Sequence, residues 1–278
     1  MANTLTGTPA AAAIYVQVRE HAAALDAPPC LAAVSVGAQP DDRAYLHSIT
    51  QAADAAGITV RPVPLPADCA PEALTDTLRA LSTDGAVHGV LLLRPLPEAL
   101  RAQEILDTLD ARKDVDGMTT ASLGALVTGA AGFAPCTAEA CMELLRAHGI
   151  DPAGRRVTIV GRSLVIGRPA ALLLTRADAT VTLCHRKTPD LAARCRDADI
   201  LLAAAGAPGL ITTDFVRPGQ IVLDAGATAL PDGTLRGDVA PDAAAIAVCT
   251  PVPGGIGSVT TALLLRHTVQ AAENLRHF

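Results

Sequence analysis

The chain has 278 residues, half of them apolar and 18% charged, which predicts one large or two medium globular domains, a domain usually taking about 100–200 residues. A net charge of −6 and an aromatic content of 2% argue against a nucleic-acid partner, which wants basic surface and stacking rings, and point to a small molecule. No run of 18 apolar residues suggests a membrane span, and the start "MANTLTGTPAAAAIYVQVRE" lacks the basic and then apolar pattern of a secretory signal, so the cytoplasm is expected.

In chain order, short β-rich apolar runs alternate with Ala/Leu-rich amphipathic stretches, the signature of βαβ units and parallel sheets. Helices are predicted near 8–25, 43–56, 71–83 and 98–110. Strands are predicted at "CLAAVSVG" (30–37), "ITVRPVPL" (58–65) and "VHGVLLL" (87–93). The Gly-rich "LVTGAAGFAPCT" (126–137) reads as a linker. A helix at 138–148 opens a second series, with strands at 156–161, 179–185, 199–205, 220–226 and 245–250 and turn signals "RPG" and "PDG" between them. The last 21 residues, 258–278, predict a helix long enough to leave the second domain and pack elsewhere. No internal repeat is present.

Seven cysteines, at 30, 69, 136, 141, 184, 195 and 249, are odd in number and include no CxxC pair or Cys/His cluster at ligand spacing. Reduced structural thiols are expected, with neither disulfides nor a metal. Twenty of the 22 basic residues are arginine, lysine occurring only at 113 and 187.

The turn after strand 156–161 reads "VGRSLVIGRPAALLL". Gly161 permits a tight turn and Gly167 lets a helix begin close to the sheet, so its free N–H groups can face a pyrophosphate. The spacing G-x-S-x-x-x-G by itself leaves a nucleotide loop and an ordinary βα turn both open. The next strand ends in "CHRKT", where an NAD site usually places a carboxylate for the ribose 2′-OH. His185, Arg186, Lys187 and Thr188 stand there instead, with Arg162 in the first turn, a set that suits a 2′-phosphate and hence NADP over NAD. The alternative is a solvated basic strand end.

These motifs, taken with "LAAVSVGAQPDDRAYL" (31–46), "GVLLLRPLP" (89–97), "KDVDG" (113–117), "PCT" (135–137), "LRGDV" (235–239) and "TPVPGGIGSVT" (250–260), give the chain a resemblance over nearly its whole length. It resembles the FolD family, methylenetetrahydrofolate dehydrogenase/methenyltetrahydrofolate cyclohydrolase. The resemblance implies an α/β protein of two domains with a cleft between them. One is a folate-binding domain over 1–137, on which the helix 258–278 packs back; the other is a Rossmann-like NAD(P)-binding domain over 138–257. It implies a homodimer through the second domain. Tyr45 matches the tyrosine lining the folate pocket, and Asp116 the aspartate that hydrogen-bonds the pterin; these two are the catalytic candidates. Pro253, Gly254 and Gly255 are added on the folate side. NADP is expected on Gly161, Arg162, Ser163, Gly167, His185, Arg186, Lys187, Thr188 and Gly226.

The departures from the family pattern fall at the chemistry. The family's lysine, four residues after the tyrosine, is Ile49, and its glutamine is Leu93. "MTTAS" (118–122) replaces the usual Phe-His-Pro-x-Asn, and Ser258-Val259 replaces Pro-Met. Moving a hydride from the methylene carbon to a nicotinamide needs alignment rather than a protein base. Hydrolysing the methenyl product needs a positioned base, worth about 10²–10⁴-fold. Isoleucine cannot act as one. His47 lies two positions from both Tyr45 and Ile49 and points elsewhere. Arg94, following Leu93 along a strand, is expected on the opposite face. The expected activity is therefore NADP-dependent oxidation of 5,10-methylenetetrahydrofolate to 5,10-methenyltetrahydrofolate, with the cyclohydrolase step weak or lost. Two alternatives stay open: a repurposed NADP-dependent enzyme acting on another folate adduct or small molecule, and a non-catalytic folate or NADP binder.

Overall fold

The computed structural model describes residues 4–38, 40–230 and 232–275. Contacts divide the chain into two compact units. One comprises Ala13–Cys136 with Thr261–Phe278, the other Met1–Ala12 with Thr137–Thr260.

The first unit takes up most of α1 (Thr8–Ala23), then β1 (Cys30–Val36), α2 (Pro40–Asp54), β2 (Thr59–Leu65), α3 (Pro71–Thr83), β3 (Gly89–Leu92), α4 (Gln103–Leu106) and α5 (Thr120–Thr128). Its sheet is parallel in the order β2-β1-β3. The central β1, "CLAAVSV", is buried almost throughout, as the middle strand of a covered parallel sheet must be. Pro62 and Pro64 put β2 at the edge, since a proline cannot donate to a ladder on both sides. In α3, Leu74, Leu78 and Leu81 form one buried stripe behind Pro71 in the first turn.

Two sequence expectations fail in this unit. The helix predicted over 98–110 is a single turn at Glu98–Leu100 followed by the short α4, with Ala102 extended between them. Leu100 and Ile105 are both buried, yet five residues apart on a continuous helix they would point about 140° from each other. Breaking the helix lets both reach the core. The linker read at 126–137 is irregular only over 129–135. Thr119 caps α5 by accepting the Ser122 N–H at 3.2 Å, and Gly129 ends it in the left-handed region at φ 76°.

The second unit runs α6 (Cys136–Ala147), β4 (Arg156–Val160), α7 (Gly167–Arg176), β5 (Thr180–Cys184), α8 (Leu191–Asp197), β6 (Ile200–Ala203), β7 (Ile221–Asp224), the hairpin β8 (Thr228–Ala229) and β9 (Leu235–Arg236), α9 (Pro241–Ile246) and β10 (Val248–Cys249). Its five-stranded sheet is parallel in the order β10-β7-β6-β4-β5. The chain winds outward from β4 to β5, then returns to the other side of β4 for β6 and onward. The carboxyl ends of β4 and β6 are therefore the topological switch point, where open parallel sheets bind ligands. The strand predicted at 245–250 shrinks to Val248–Cys249, because Pro241 starts a helix that runs through Ile246.

The final helix, α10 (Ile256–Leu275), begins two residues earlier than predicted, and the last three residues of the predicted helix, 276–278, lie outside the described residues. Among the described residues no helix is long and apolar enough to cross a membrane.

Candidate active site

At the switch point Gly161 has φ 125°, and a Cβ there would run into the Ala204 carbonyl at the end of β6. A Cβ on Gly167 would meet the Gly161 carbonyl in the same way. Only glycine lets the turn fold between two strands and α7 start against it. The Gly161 N–H donates to the Cys184 carbonyl at 3.0 Å, joining the turn to the end of β5. Arg162 and Ser163 are exposed, and the Ser163 Oγ accepts the Ile166 N–H at 3.1 Å. No acidic side chain sits in the first turn of α7, so the positive end of that helix is left for an anion.

The basic end of β5 is a closed turn. The His185 N–H donates to Thr188 Oγ1 at 2.9 Å, the Thr188 N–H returns to the His185 carbonyl at 2.8 Å, and the Lys187 N–H donates to His185 Nδ1 at 3.2 Å. His185 and Thr188 thus serve as the frame, and Arg186 and Lys187 are exposed at its corner. Val160 pairs with Cys184, which puts this corner beside Gly161 and Arg162. Glycine turn, helix start and cationic corner thus lie at the ends of two paired strands.

Gly226 has a different partner. Its N–H donates to Asp224 Oδ1 at 3.0 Å, inside a buried two-carboxylate network that sequence reading missed. Asp224 also accepts from the Asp238 and Val239 N–H groups, both at 2.9 Å. Asp238, wholly buried, accepts the N–H groups of Ala205, Gly206 and Ala207 at 2.6, 3.0 and 2.7 Å. Burial holds the Asp224 carboxyl above its usual range against those hydrogen bonds, and the Asp238 charge adds to the effect. Through these bonds "DAG" and "GDV" fix the loop after β6 at the switch point. Asp238→Asn turns an NH₂ toward N–H donors, and should lower stability by about 3 kcal/mol, the worth of one or two hydrogen bonds to a charged group. Urea unfolding checks this; an unmoved midpoint with unchanged slope refutes it.

In the other unit Tyr45, on α2, and Asp116, in the loop after α4, come together. Although 41% of the Tyr45 surface is accessible, its phenol pKa is raised above the ordinary range, first by desolvation, then by the Asp116 charge and by Cys136, against a hydrogen bond with Thr261. Burial, then the neighbouring Asp114, pushes the Asp116 carboxyl up to about 6, against Arg94, the Cys136 thiol and His267, which lower it. Pro253, Gly254 and Gly255 belong to the other unit, where the Gly7 N–H donates to the Gly254 carbonyl at 2.9 Å.

The surroundings of Ile49 and Leu93 are plain. Ile49 is wholly inaccessible, as is Ala53 one turn further along α2, and Leu93 is 5% exposed. The expectation for Arg94 is corrected: β3 ends at Leu92, so strand alternation does not reach Arg94. Its charge acts on Asp116, with which it shares the wall of a cavity of about 10 Å³. His47 is exposed. Lys113 is buried with its Nζ donating to the carbonyls of Leu81 and Asp84 at 3.1 and 2.8 Å. Asp114 accepts the Thr119 N–H and the Ser122 hydroxyl, both at 2.7 Å, so the unusual "MTTAS" hydrogen-bonds back to "KDVDG".

A doubly wound parallel sheet with a glycine turn and a basic strand end at its switch point belongs to the dinucleotide-binding α/β proteins. Residues 5–116 match the family model described as tetrahydrofolate dehydrogenase/cyclohydrolase, catalytic domain. Residues 135–276 match that family's NAD(P)-binding domain. The chain belongs to the tetrahydrofolate dehydrogenase/cyclohydrolase family. It is 47% identical to the bifunctional protein FolD 1 of Rhodococcus jostii over 98% of this chain and 93% of that one. Among solved structures, bifunctional FolD of Campylobacter jejuni superposes with TM-score 0.93 at 36% identity, covering 98% of this chain and 99% of the other. The Trypanosoma brucei methylenetetrahydrofolate dehydrogenase-cyclohydrolase, complexed with NADP cofactor and inhibitor, superposes with TM-score 0.93 at 34% identity, covering 100% and 99%.

Proposed function

We propose that this chain oxidises 5,10-methylenetetrahydrofolate to 5,10-methenyltetrahydrofolate with NADP, and that hydrolysis of the product to 10-formyltetrahydrofolate is weak or lost. The observation that carries this reading is the Tyr45–Asp116 cluster in a chain whose residues at the family's lysine and glutamine positions, Ile49 and Leu93, are apolar and buried.

In this reading Asp116, ionised, accepts from the pterin edge and sets its orientation, while the exposed part of Tyr45 packs against the ring. Gly161, Arg162, Ser163 and Gly167 receive the pyrophosphate, and Arg186 and Lys187, on the frame of His185 and Thr188, receive the 2′-phosphate. Pro253, Gly254 and Gly255 add folate contacts. Bound NADP accepts the hydride, and alignment of the donor carbon supplies most of the rate. The folate side corresponds to residues 1–137 with the C-terminal helix from 258 onward, and the NADP side to 138–257. A homodimer through the NADP side, in the cytoplasm, completes the proposal on the strength of the family likeness.

The test is formation of methenyltetrahydrofolate with NADP and with NAD. NADP should be preferred, and Arg186→Ala with Lys187→Ala should raise the KM for NADP about 10- to 100-fold, two charge-assisted contacts' worth, with the NAD rate little changed. Cofactor binding without turnover by either nucleotide would sink the dehydrogenase reading. It would favour a repurposed enzyme, for which the apolar Ile49–Leu93 pair and the altered "MTTAS" loop are the supporting features.

A further inference from the structure

The peptide bond that precedes Asp116 is gripped from two distant parts of the chain. The Val115 carbonyl oxygen accepts from His267 Nδ1 on α10 at 2.8 Å and from the Cys136 thiol at the start of α6 at 3.3 Å. A carbonyl only accepts, so Nδ1 carries the imidazole proton. That tautomer excludes Cys136 and His267 as a general-base pair, although their Sγ and Nδ1 atoms lie 3.6 Å apart. Both side chains are almost wholly buried, at 1% and 3%, so neither reaches a substrate. The Phe133 ring, with its centroid 4.9 Å from that of His267 and tilted by 31°, flanks the imidazole. On the far side of Asp116, Gly117 is wedged at φ 66° against the Phe133 carbonyl and Ala134.

We infer that His267 is a positioning residue for Asp116: through the Val115 carbonyl it fixes the direction of the carboxylate. The inference rests on the folate reading of Asp116 given above. The groups facing Asp116 are Asp114 on its own loop, Arg94 after β3, Cys136 on α6 and His267 on α10, with the Tyr45 phenol on α2. Both residues that grip the Val115 carbonyl lower the pKa of the Asp116 carboxyl, and His267 makes the shorter hydrogen bond, 2.8 against 3.3 Å.

Two substitutions separate the hydrogen bond from the bulk of the ring. Asparagine at 267 places an N–H where Nδ1–H stands; leucine fills the space and donates nothing. His267→Leu should raise the KM for the folate about tenfold, the upper range for one hydrogen bond, with kcat and the KM for NADP within twofold. His267→Asn should bring the folate KM back to within about threefold of the parent. Carbon-13 NMR of the Asp116 carboxyl, assigned with Asp116→Asn, reads the same relation without turnover: its titration midpoint should move upward in both variants. Equal KM losses for Leu and Asn, or an unmoved Asp116 midpoint, overturns the inference. Should the Leu variant not fold, the midpoint in His267→Asn decides alone. Absence of turnover in the parent would instead remove the folate reading, and the NMR titration would still decide whether His267 acts on Asp116.

Discussion

Purified protein is expected to hydrolyse methenyltetrahydrofolate little faster than buffer does, a deficit of about 10²–10⁴-fold against an enzyme with a positioned base. Among the described residues of the first unit, none near the lysine position replaces it as a base. Ile49 is sealed in the packed face of α2 and Leu93 is 5% exposed. Lys113 is spent on two carbonyls, and His47 is out in solvent. Arg94 acts on Asp116, but a guanidinium is a hydrogen-bond donor and not a general base. The Tyr45 phenol is held in its protonated form by burial and the Asp116 charge. Ile49→Lys with Leu93→Gln should raise hydrolysis at least tenfold, since an ammonium desolvated at that position loses its proton more readily, as a catalytic base must. The same desolvation should cost about 3 kcal/mol of stability. Rapid loss of methenyltetrahydrofolate in the unmutated protein, followed by its absorbance, would show that some other group supplies the base.

How far the sequence carried differs between the two halves of the problem. Strands such as β1 and β4 and the stripe of α3 were legible because each is decided locally, by an unbroken apolar run or a 3.6-residue period. The break between Leu100 and Gln103 was not, because it answers to which residues the core can take. For α5 the signals were present, Thr119 as cap and Gly129 as stop, but two glycines among small apolar residues read as a linker. The two-residue strands β8, β9 and β10 exist only through their partners. The glycine turn and cationic corner could be read from single motifs, because parallel pairing of Val160 with Cys184 follows once both strands are known. Cys136 and His267 could not be read. Their partner is one carbonyl, and 131 residues separate them; the local hint was a histidine placed just after the apolar run Ala262–Leu265 of the last helix. Arg94 was misplaced because strand alternation was extended past the last residue that obeys it.

Asp116→Asn should lower kcat/KM for the folate roughly 100-fold, about 2.7 kcal/mol, because an amide cannot accept two pterin N–H groups as a carboxylate does. The parent's pH dependence should carry the same signature. The Asp116 carboxyl ionises at about 6 in the protein, first because burial disfavours its charge and then because Asp114 stands beside it. Its acceptor form is therefore complete above that pH and is lost as pH falls through it, some two units above an ordinary aspartate. The kcat/KM profile reports groups in the free enzyme, so a limb with a midpoint near 6 should appear there. In kcat it should move to lower pH, because a bound pterin donating to the carboxylate favours its charged form. In Asp116→Asn the limb should vanish while the NADP half-site stays intact, its KM within twofold of the parent. A limb that persists unchanged in that variant would assign the titration to another group and leave Asp116 without the role given to it. The dependence is the physical consequence of burying an anion and placing Asp114 beside it, only partly offset by Arg94, Cys136 and His267.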